Sequence, residues 1–378
     1  MVVMKLAITA LGVVFPGGQG EGALLDLLRS GVSRIGTSAT DPAKPAAEIG
    51  PGLKDLVRRK GLASLSRCAL LAAAGLEDLL ASLSGAVLDE PRGSCALVSG
   101  TAYGHLASKA EFHAAARRDG VRLVSPIVFP NTLINSLAGH AAILFGLRGP
   151  NSTVTSGRRS GLEAILRAET LLRAGRASRA LAIGSDEVSP ALLRGLGAAQ
   201  GPGAALPPGE AAAAILIEHP EEASRSGRRT RALLSGSGEA SAVGQGLSAA
   251  VEDAMRAALD DARLEPGEVS WISLATGGGR ALDAAELEAV ERVFGREIPL
   301  AALKATFGEG FGSSGAIAVA AAVVAGLEAS MVPATPDGFP GRIPGGFGFS
   351  ASPRPASPGP ILVSSVEETG ATCVVIGR

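Results

Sequence analysis

Short, continuously apolar runs alternate along this chain with longer stretches whose apolar positions recur at helical spacing. Lys5–Val14 is apolar and stops at Pro16-Gly17-Gly18. Ser94–Gly100, the β-branched Ser152–Thr155, Arg179–Gly184 and Ala211–Glu218 follow. Between them Gly22–Ser30, Leu62–Ser84, His105–Ala116, Leu133–Phe145 and Gly161–Ala174 carry the three-and-four spacing of helices that pack on one face. Runs that are apolar throughout are buried on both sides. The pattern therefore predicts an α/β protein whose largely parallel sheet is covered by helices on both faces.

Glu221–Arg229 is polar and charged and reads as a linker, after which the pattern restarts. Strands are predicted at Thr230–Ser237, Val269–Ala275, Ile361–Ser365 and Thr372–Ile376, and helices at Gln245–Ala262, Leu282–Phe294 and Gly312–Leu327. Pro333–Pro360, rich in Pro and Gly, reads as a long loop. The repeated order predicts two halves, residues 1–225 and 226–378, duplicated in structure and integrated into one unit.

Composition narrows the function classes. Apolar residues make up 46% and charged residues 19%, which fits a packed globular chain. Net charge is −1 with no basic stripe, so nucleic acid is not an expected partner. The longest apolar run, Gly315–Leu327, is too short to span a bilayer, and the start reads as a strand rather than a leader. Cys68, Cys95 and Cys373 are scattered without metal spacing and read as buried thiols in a reducing compartment, so a cytoplasmic protein without a metal is expected. His105, His113, His140 and His219 have no metal-ligand spacing either and read as ordinary surface or core histidines.

The most informative stretch is Gly146-Leu-Arg-Gly-Pro-Asn-Ser-Thr-Val-Thr-Ser-Gly-Arg-Arg-Ser-Gly161: strand, tight glycine turn, helix. Such a turn lifts one side chain off the sheet toward a helix N-terminus, where a thiolate or anion is stabilised. Here the turn carries Arg158 and Arg159, and a permanently protonated arginine is no nucleophile.

This stretch resembles the nucleophile segment of the β-ketoacyl synthases. The lead-in SPIVFPNTLINSLAGHAAILFGLRGPN, with Pro126, Phe129, Pro130, Thr132 and Asn135, resembles the family's approach to it. So do IGSDEVSPAL (Asp186, Glu187, Pro190), PPGEAAAAILIE (Glu210) and the opening ITALGVVFPGG. The resemblance covers nearly the whole chain and implies a thiolase fold: duplicated βαβαβαββ halves in a five-layered αβαβα architecture.

It also implies where a Cys-His-His constellation would fall. The Cys position holds Arg158; the first His position, in Ser270–Glu286, holds Ala275; the second, in Lys304-Ala-Thr-Phe-Gly-Glu-Gly-Phe-Gly-Ser-Ser-Gly315, holds Glu309. Lys304, Asp283 and Glu286 match, whereas the late glycine-rich motif is degraded to Ser365-Val-Glu-Glu-Thr-Gly370, and Gly345–Phe349 is a decoy for it. The pattern is similar to chain-length factors, the silent β subunits of bacterial type II polyketide synthases, and in its Glu309 form to partner subunits of aryl-polyene pathways. The implied partners are an active ketosynthase α subunit in a heterodimer and an acyl carrier protein, whose phosphopantetheine makes a resident cofactor unnecessary. Tyr103, Phe112, Phe129, Thr132, Asn135 and Arg159 are the implied tunnel or interface residues.

A buried unpaired charge is costly, so Arg158 and Glu309 are expected to form an ion pair, shared with Arg159, that plugs the former site. Two other functions stay open at this point. One is malonyl-thioester decarboxylation or hydrolysis through Lys304 and Glu309. The other is a homodimeric acyl-carrier or lipid-binding protein using Arg167, Arg173, Arg176 and Arg179 as a basic patch.

Overall fold

A computed structural model describes residues 5–83, 90–199, 206–277, 279–336 and 345–378. The elements are named here in chain order. Strands are β1 (Leu6–Phe15), β2 (Gly18–Gln19), β3 (Cys95–Gly100), β4 (Asn151–Val154), β5 (Arg179–Asp186), β6 (Ala211–Glu218), β7 (Ala232–Ser241), β8 (Trp271–Ser273), β9 (Leu300–Ala301), β10 (Ile361–Glu367) and β11 (Gly370–Gly377). Helices are α1 (Glu21–Ser30), α2 (Arg67–Ser82), α3 (Leu106–Asp119), α4 (Ser136–Phe145), α5 (Ser160–Arg173), α6 (Pro190–Ala199), α7 (Pro220–Arg225), α8 (Leu247–Ala262), α9 (Arg280–Phe294), α10 (Lys304–Phe307) and α11 (Ser314–Ala321).

The strands form one sheet in the order β9-β8-β10-β11-β7-β1-β6-β5-β3-β4, with β2 paired to β1. Read outward from the central β7/β1 pair, the two sides match strand for strand. Each side has antiparallel strands near the centre and a parallel trio at the edge: β5-β3-β4 on one side and β10-β8-β9 on the other. The halves join where Leu6, Ala7 and Ile8 pair with Leu234, Leu233 and Ala232.

Helices α2 and α4 cover the outer face of the first half, and α8 and α9 that of the second. Helices α5 and α11 lie between the two halves and touch strands of both. That is the five-layered order of helices and sheets the resemblance implies. The middle layer demands close approach: at Gly161 a Cβ would sit 2.4 Å from the Gly312 carbonyl oxygen, so only glycine lets α5 cross there. The central strands are apolar on both faces because helices cover both, which spreads the core over residues such as Ile8, Ile215, Trp271, Val319 and Val374.

Several expectations are corrected. The sheet is mixed rather than largely parallel. The linker segment is not irregular: Pro220–Arg225 is α7, started by Pro220 at its first position with Glu221 and Glu222 in its first turn. Helix α2 begins at Arg67 because the Ser66 side chain accepts from the Ala69 amide; Leu62–Ser64 is a separate 3-10 turn, and the end of that expected helix, Ser84, lies outside the described residues. Strand β8 is only Trp271–Ser273. The loop expected over Pro333–Pro360 includes a short strand, Arg354–Pro355, antiparallel to Met331–Val332; residues 337–344 of it lie outside the described ones. The last long helix continues from α11 into a π-helical turn, Ala322–Glu328. Together with the preceding turn it gives an apolar helical run, Phe311–Glu328, that is long enough to cross a membrane, which corrects the length argument above; 83% of it is buried as the core helix.

Candidate functional site

The site is built where three loops converge. The turn between β4 and α5 carries Arg158, the segment from α10 to α11 carries Lys304 and Glu309, and the two-residue turn joining β10 to β11 carries Glu368 after Glu367. Gly157 takes a left-handed φ of +61° and brings the Arg158 amide against the Glu367 carboxylate; a Cβ at Gly157 would lie 2.3 Å from that oxygen.

Arg158 Nε donates to Glu309 Oε2 at 2.9 Å and Arg158 Nη1 donates to Glu367 Oε1 at 2.8 Å. Lys304 Nζ donates to Glu309 Oε2 at 2.8 Å. The other Glu309 oxygen accepts from the Phe311 amide at 2.9 Å and from the Ser314 hydroxyl at 3.3 Å. The Arg158 guanidinium also lies 5.7 Å from the centre of the Phe311 ring, on which Tyr103 stacks edge-on at 4.9 Å. Side-chain exposure is 13% for Arg158, 6% for Lys304 and nil for Glu309, so these are desolvated ion pairs and not surface ones.

Two cations face two carboxylates, Glu309 fully buried and Glu367 partly so, and the electrostatics follow. Burial alone would raise the Glu309 carboxyl; the charges of Lys304 and Arg158 outweigh it and hold Glu309 below the usual carboxylate range. Burial likewise opposes ionisation of Glu367, but its hydrogen bonds with Glu368 and the Arg158 amide, and the Arg158 charge, bring it down to about 2. Glu368 is pushed up, first by its hydrogen bond with Glu367.

The expected Arg158–Glu309 pair is therefore present. Arg159 does not share it: its Nη2 lies 3.2 Å from Glu163 Oε1, one helical turn on, because consecutive residues at a helix start point in different directions. Lys304 is the second cation on Glu309, the place foreseen for Arg159, and Glu367 is a second carboxylate on Arg158. Sequence reasoning had noted Glu367 only as part of a degraded motif. The available signal was an acidic pair at a hairpin tip matched to an arginine pair at a helix start.

Ala275 is buried in the core of the second half among Leu274, Leu282 and Leu287. Its amide donates to Glu286 Oε1 at 2.9 Å, Thr276 Oγ1 donates to Glu286 Oε2 at 2.7 Å, and the Gly277 amide donates to Asp283 Oδ1 at 2.8 Å. The matching acids Asp283 and Glu286 thus hold the loop after β8; Gly278 within it lies outside the described residues. Asp186 similarly gathers the Tyr103 amide at 2.9 Å, the Thr101 hydroxyl at 2.7 Å and the Gly312 amide at 2.8 Å, tying the loop after β3 to the α11 entry. Glu187 accepts from the Cys68 and Ala107 amides, and burial pushes its carboxyl up to about 7.

The remaining candidates separate. Phe112 and Phe129 pack together with ring centres 5.9 Å apart on the α3 side. Thr132 Oγ1 donates to the Phe129 carbonyl at 2.7 Å, and Asn135 is exposed at the start of α4. The proposed basic patch does not form as a unit. Arg179 is buried on Glu222 at 2.8 Å and Arg173 pairs with Glu169 at 2.7 Å, while Arg167 and Arg176 are exposed. His105 is a core histidine bonded to Ser66 and held down to about 4 by burial. Gly345–Phe349 lies beside the edge strand β9, where Gly348 bridges to Pro299, away from the β10–β11 tip that occupies the position of the glycine-rich motif.

Chemically the arrangement is a closed charge network. The hydroxyls of Ser160 and Ser365 donate to the Gly157 and Arg158 carbonyls at 2.7 and 2.8 Å. Cys68 and Cys373 are buried thiols whose ionisation burial opposes. Behind Lys304, between Gly209, Phe307, Ser313 and Ser314, is a cavity of about 20 Å³, the room of one water.

A duplicated, five-layered sheet with the turn-to-helix site at its centre defines a protein of the thiolase fold. The solved structure of the ishigamide ketosynthase/chain length factor superposes with a TM-score of 0.84 at 20% identity, over 99% of both chains. Residues 4–223 match the β-ketoacyl synthase N-terminal domain and residues 232–338 its C-terminal domain, so the chain belongs to the β-ketoacyl synthase family. Among curated relatives it is similar to nodulation protein E of Rhizobium leguminosarum bv. trifolii (27% identical, 88% of each chain). It is also similar to a putative polyketide β-ketoacyl synthase 1 of Streptomyces cyaneus, at 30% identity over 88% of this chain and 87% of the relative.

Proposed function

We propose that this chain is a non-catalytic ketosynthase subunit of the chain-length-factor kind: it pairs with an active ketosynthase, completes the acyl tunnel from across the seam and limits how long the polyketide grows. An acyl carrier protein delivers the growing chain to the pair on its phosphopantetheine.

The observation that carries this reading is the Arg158–Glu309–Lys304–Glu367 network. It fills the place where the family's chemistry would sit with groups that already bond one another. A decarboxylase or hydrolase built on Glu309 would need a carboxylate able to take a proton near neutrality. Two cations hold Glu309 in the opposite sense.

A partner face supports the pairing. Strand β4 is the sheet's edge, short and incompletely covered. Nearby in sequence, Ile127 (81% exposed), Phe129, Leu133 and Ile143 (82% exposed) present apolar side chains to solvent, and α3 has no buried residue. Apolar surface of this kind marks an interface.

The reading predicts that Ile127→Asp with Ile143→Asp leaves the isolated chain's thermal unfolding unchanged but abolishes co-purification with an active ketosynthase, measured by native mass spectrometry. An unimpaired one-to-one complex would remove the interface from the proposal.

A further inference from the structure

Three buried carboxylates, Asp186, Glu187 and Glu210, gather near the end of β5, and their donors are shared out unequally. Asp186 accepts from the Thr101 hydroxyl at 2.7 Å and from the amides of Ala102, Tyr103, Gly104 and Gly312 at 2.7, 2.9, 3.2 and 2.8 Å. Glu210 accepts twice from the Arg67 guanidinium, at 2.6 Å each, and from the Ile49 and Val188 amides at 3.1 and 3.0 Å. Among the described residues Glu187 accepts from the amides of Cys68 and Ala107 alone, at 2.8 and 2.9 Å, and no cation bonds it. A buried charge with too few donors binds a proton instead. Glu187, 2% exposed, is the member of the trio on which that proton settles. Burial, and after it the charges of Glu210 and Asp186, bring its carboxyl up to about 7 against the pull of the two amides.

The surrounding groups leave it so. Helix α2 brings Arg67, already committed to Glu210, and the buried Cys68 thiol, whose ionisation burial opposes. Helix α3 brings His105, kept uncharged by burial, and the partly exposed Lys109; Arg194 on α6 is exposed. Cys68 and Ala107 stand in the first turns of α2 and α3, so one carboxyl ties two helices together. Helix α3 buries no residue of its own and packs chiefly on α6 and the Phe129–Thr132 turn, so freeing its start costs few contacts.

We infer that Glu187 is a proton-operated clasp: protonated, it holds the first turn of α3 against α2, and ionised, it releases that turn to solvent. In water the released carboxyl returns toward its ordinary 4.5, so between 4.5 and about 7 the released form holds fewer protons than the docked one. Raising pH through that interval favours release, and above it the balance levels off because both forms are ionised. Phe112 of α3 packs on Phe129, so release reaches the exposed apolar side chains beside them. The clasp belongs to this chain alone and does not depend on the pairing proposed above.

Hydrogen exchange of the full chain, followed by mass spectrometry from pH 5 to 8.5 and corrected for the intrinsic pH dependence of amide exchange, tests it. The opening of the first turn of α3 should rise at least tenfold from pH 5 to 7 and level off above that. Helix α5, Ser160–Arg173, serves as the internal control and should stay flat. Glu187→Gln cannot ionise, so its α3 opening should lose the pH dependence, whatever its absolute rate. A flat profile for wild-type α3, a rise shared equally by α5, or a folded Glu187→Gln variant that keeps the rise would each overturn the inference. Should that variant fail to fold, the two wild-type outcomes still decide it.

Discussion

Glu309 is the residue on which the buried charges depend, since Lys304 and Arg158 both bond its Oε2. Removing it strands the desolvated Lys304 and leaves Arg158 with Glu367 as its carboxylate partner. Glu309→Ala should therefore cost about 3–5 kcal/mol in urea unfolding, the range for breaking a buried pair. Lys304→Met with Glu309→Gln removes one cation and one anion together and leaves Arg158 on Glu367. It should cost clearly less than Glu309→Ala alone; an equal or larger loss would mean that the network's stability does not come from charge balance. Acid gives an independent check. Glu367 titrates at about 2 folded against 4.5 as a free carboxyl, so between those values the unfolded chain binds more protons. Its contribution is complete above about 4.5 and disappears as pH falls toward 2. The stability gap between wild type and Glu367→Gln should close across that window; a gap that stays constant would show that Glu367 is not held as an anion. At this scale the sequence made the Arg158–Glu309 pair legible, because motif positions carry over by spacing. Glu367 was not legible as their partner, because its approach depends on a hairpin more than 200 residues along the chain, 209 from Arg158.

Strand positions were readable from apolar runs, but strand direction was not. Helices cover both faces of antiparallel β1, β6 and β11 as well as of the parallel trios, so both kinds show the same unbroken burial. The linker reading of Glu221–Arg229 failed for a similar reason: a short, charged helix started by Pro220 has the composition of a loop, and only burial of Ala223 shows the packed side. The crossing of α5 over the α11 entry makes a sharper claim about packing. A methyl at Gly161 would meet the Gly312 carbonyl at 2.4 Å and the Ala316 amide at 3.0 Å, both backbone atoms that cannot swing away. Gly161→Ala should lower unfolding free energy by about 1–3 kcal/mol, the usual cost of overpacking. A variant as stable as wild type would show that the middle helix layer is looser than described.

The whole molecule is two like half-sheets joined at β1 and β7, with the matching strand order visible only once pairing is known. The sequence showed the repetition of elements without a repeat of residues, because duplication is retained in which positions are buried rather than in which residue fills them. Its outer edges differ in use. The β9 edge is partly covered by the Pro299–Gly348 bridge, whereas the β4 edge stands beside the exposed apolar side chains of the 121–143 region. This difference supports the proposed pairing at the β4 edge, on the same half as the turn that carries Arg158.

The most direct test of a silent subunit asks which chain of a pair does the chemistry. The chain would be co-expressed with an active ketosynthase, the one-to-one complex isolated, and condensation of malonyl-carrier thioesters measured. Replacing the partner's nucleophilic cysteine by alanine should abolish product. Lys304→Met with Glu309→Gln in this chain should leave the rate within about twofold of wild type, because an interaction absent from the transition state contributes nothing to it. Loss of condensation on changing Lys304 and Glu309 in a complex that remains assembled, or turnover by this chain alone, would contradict the account.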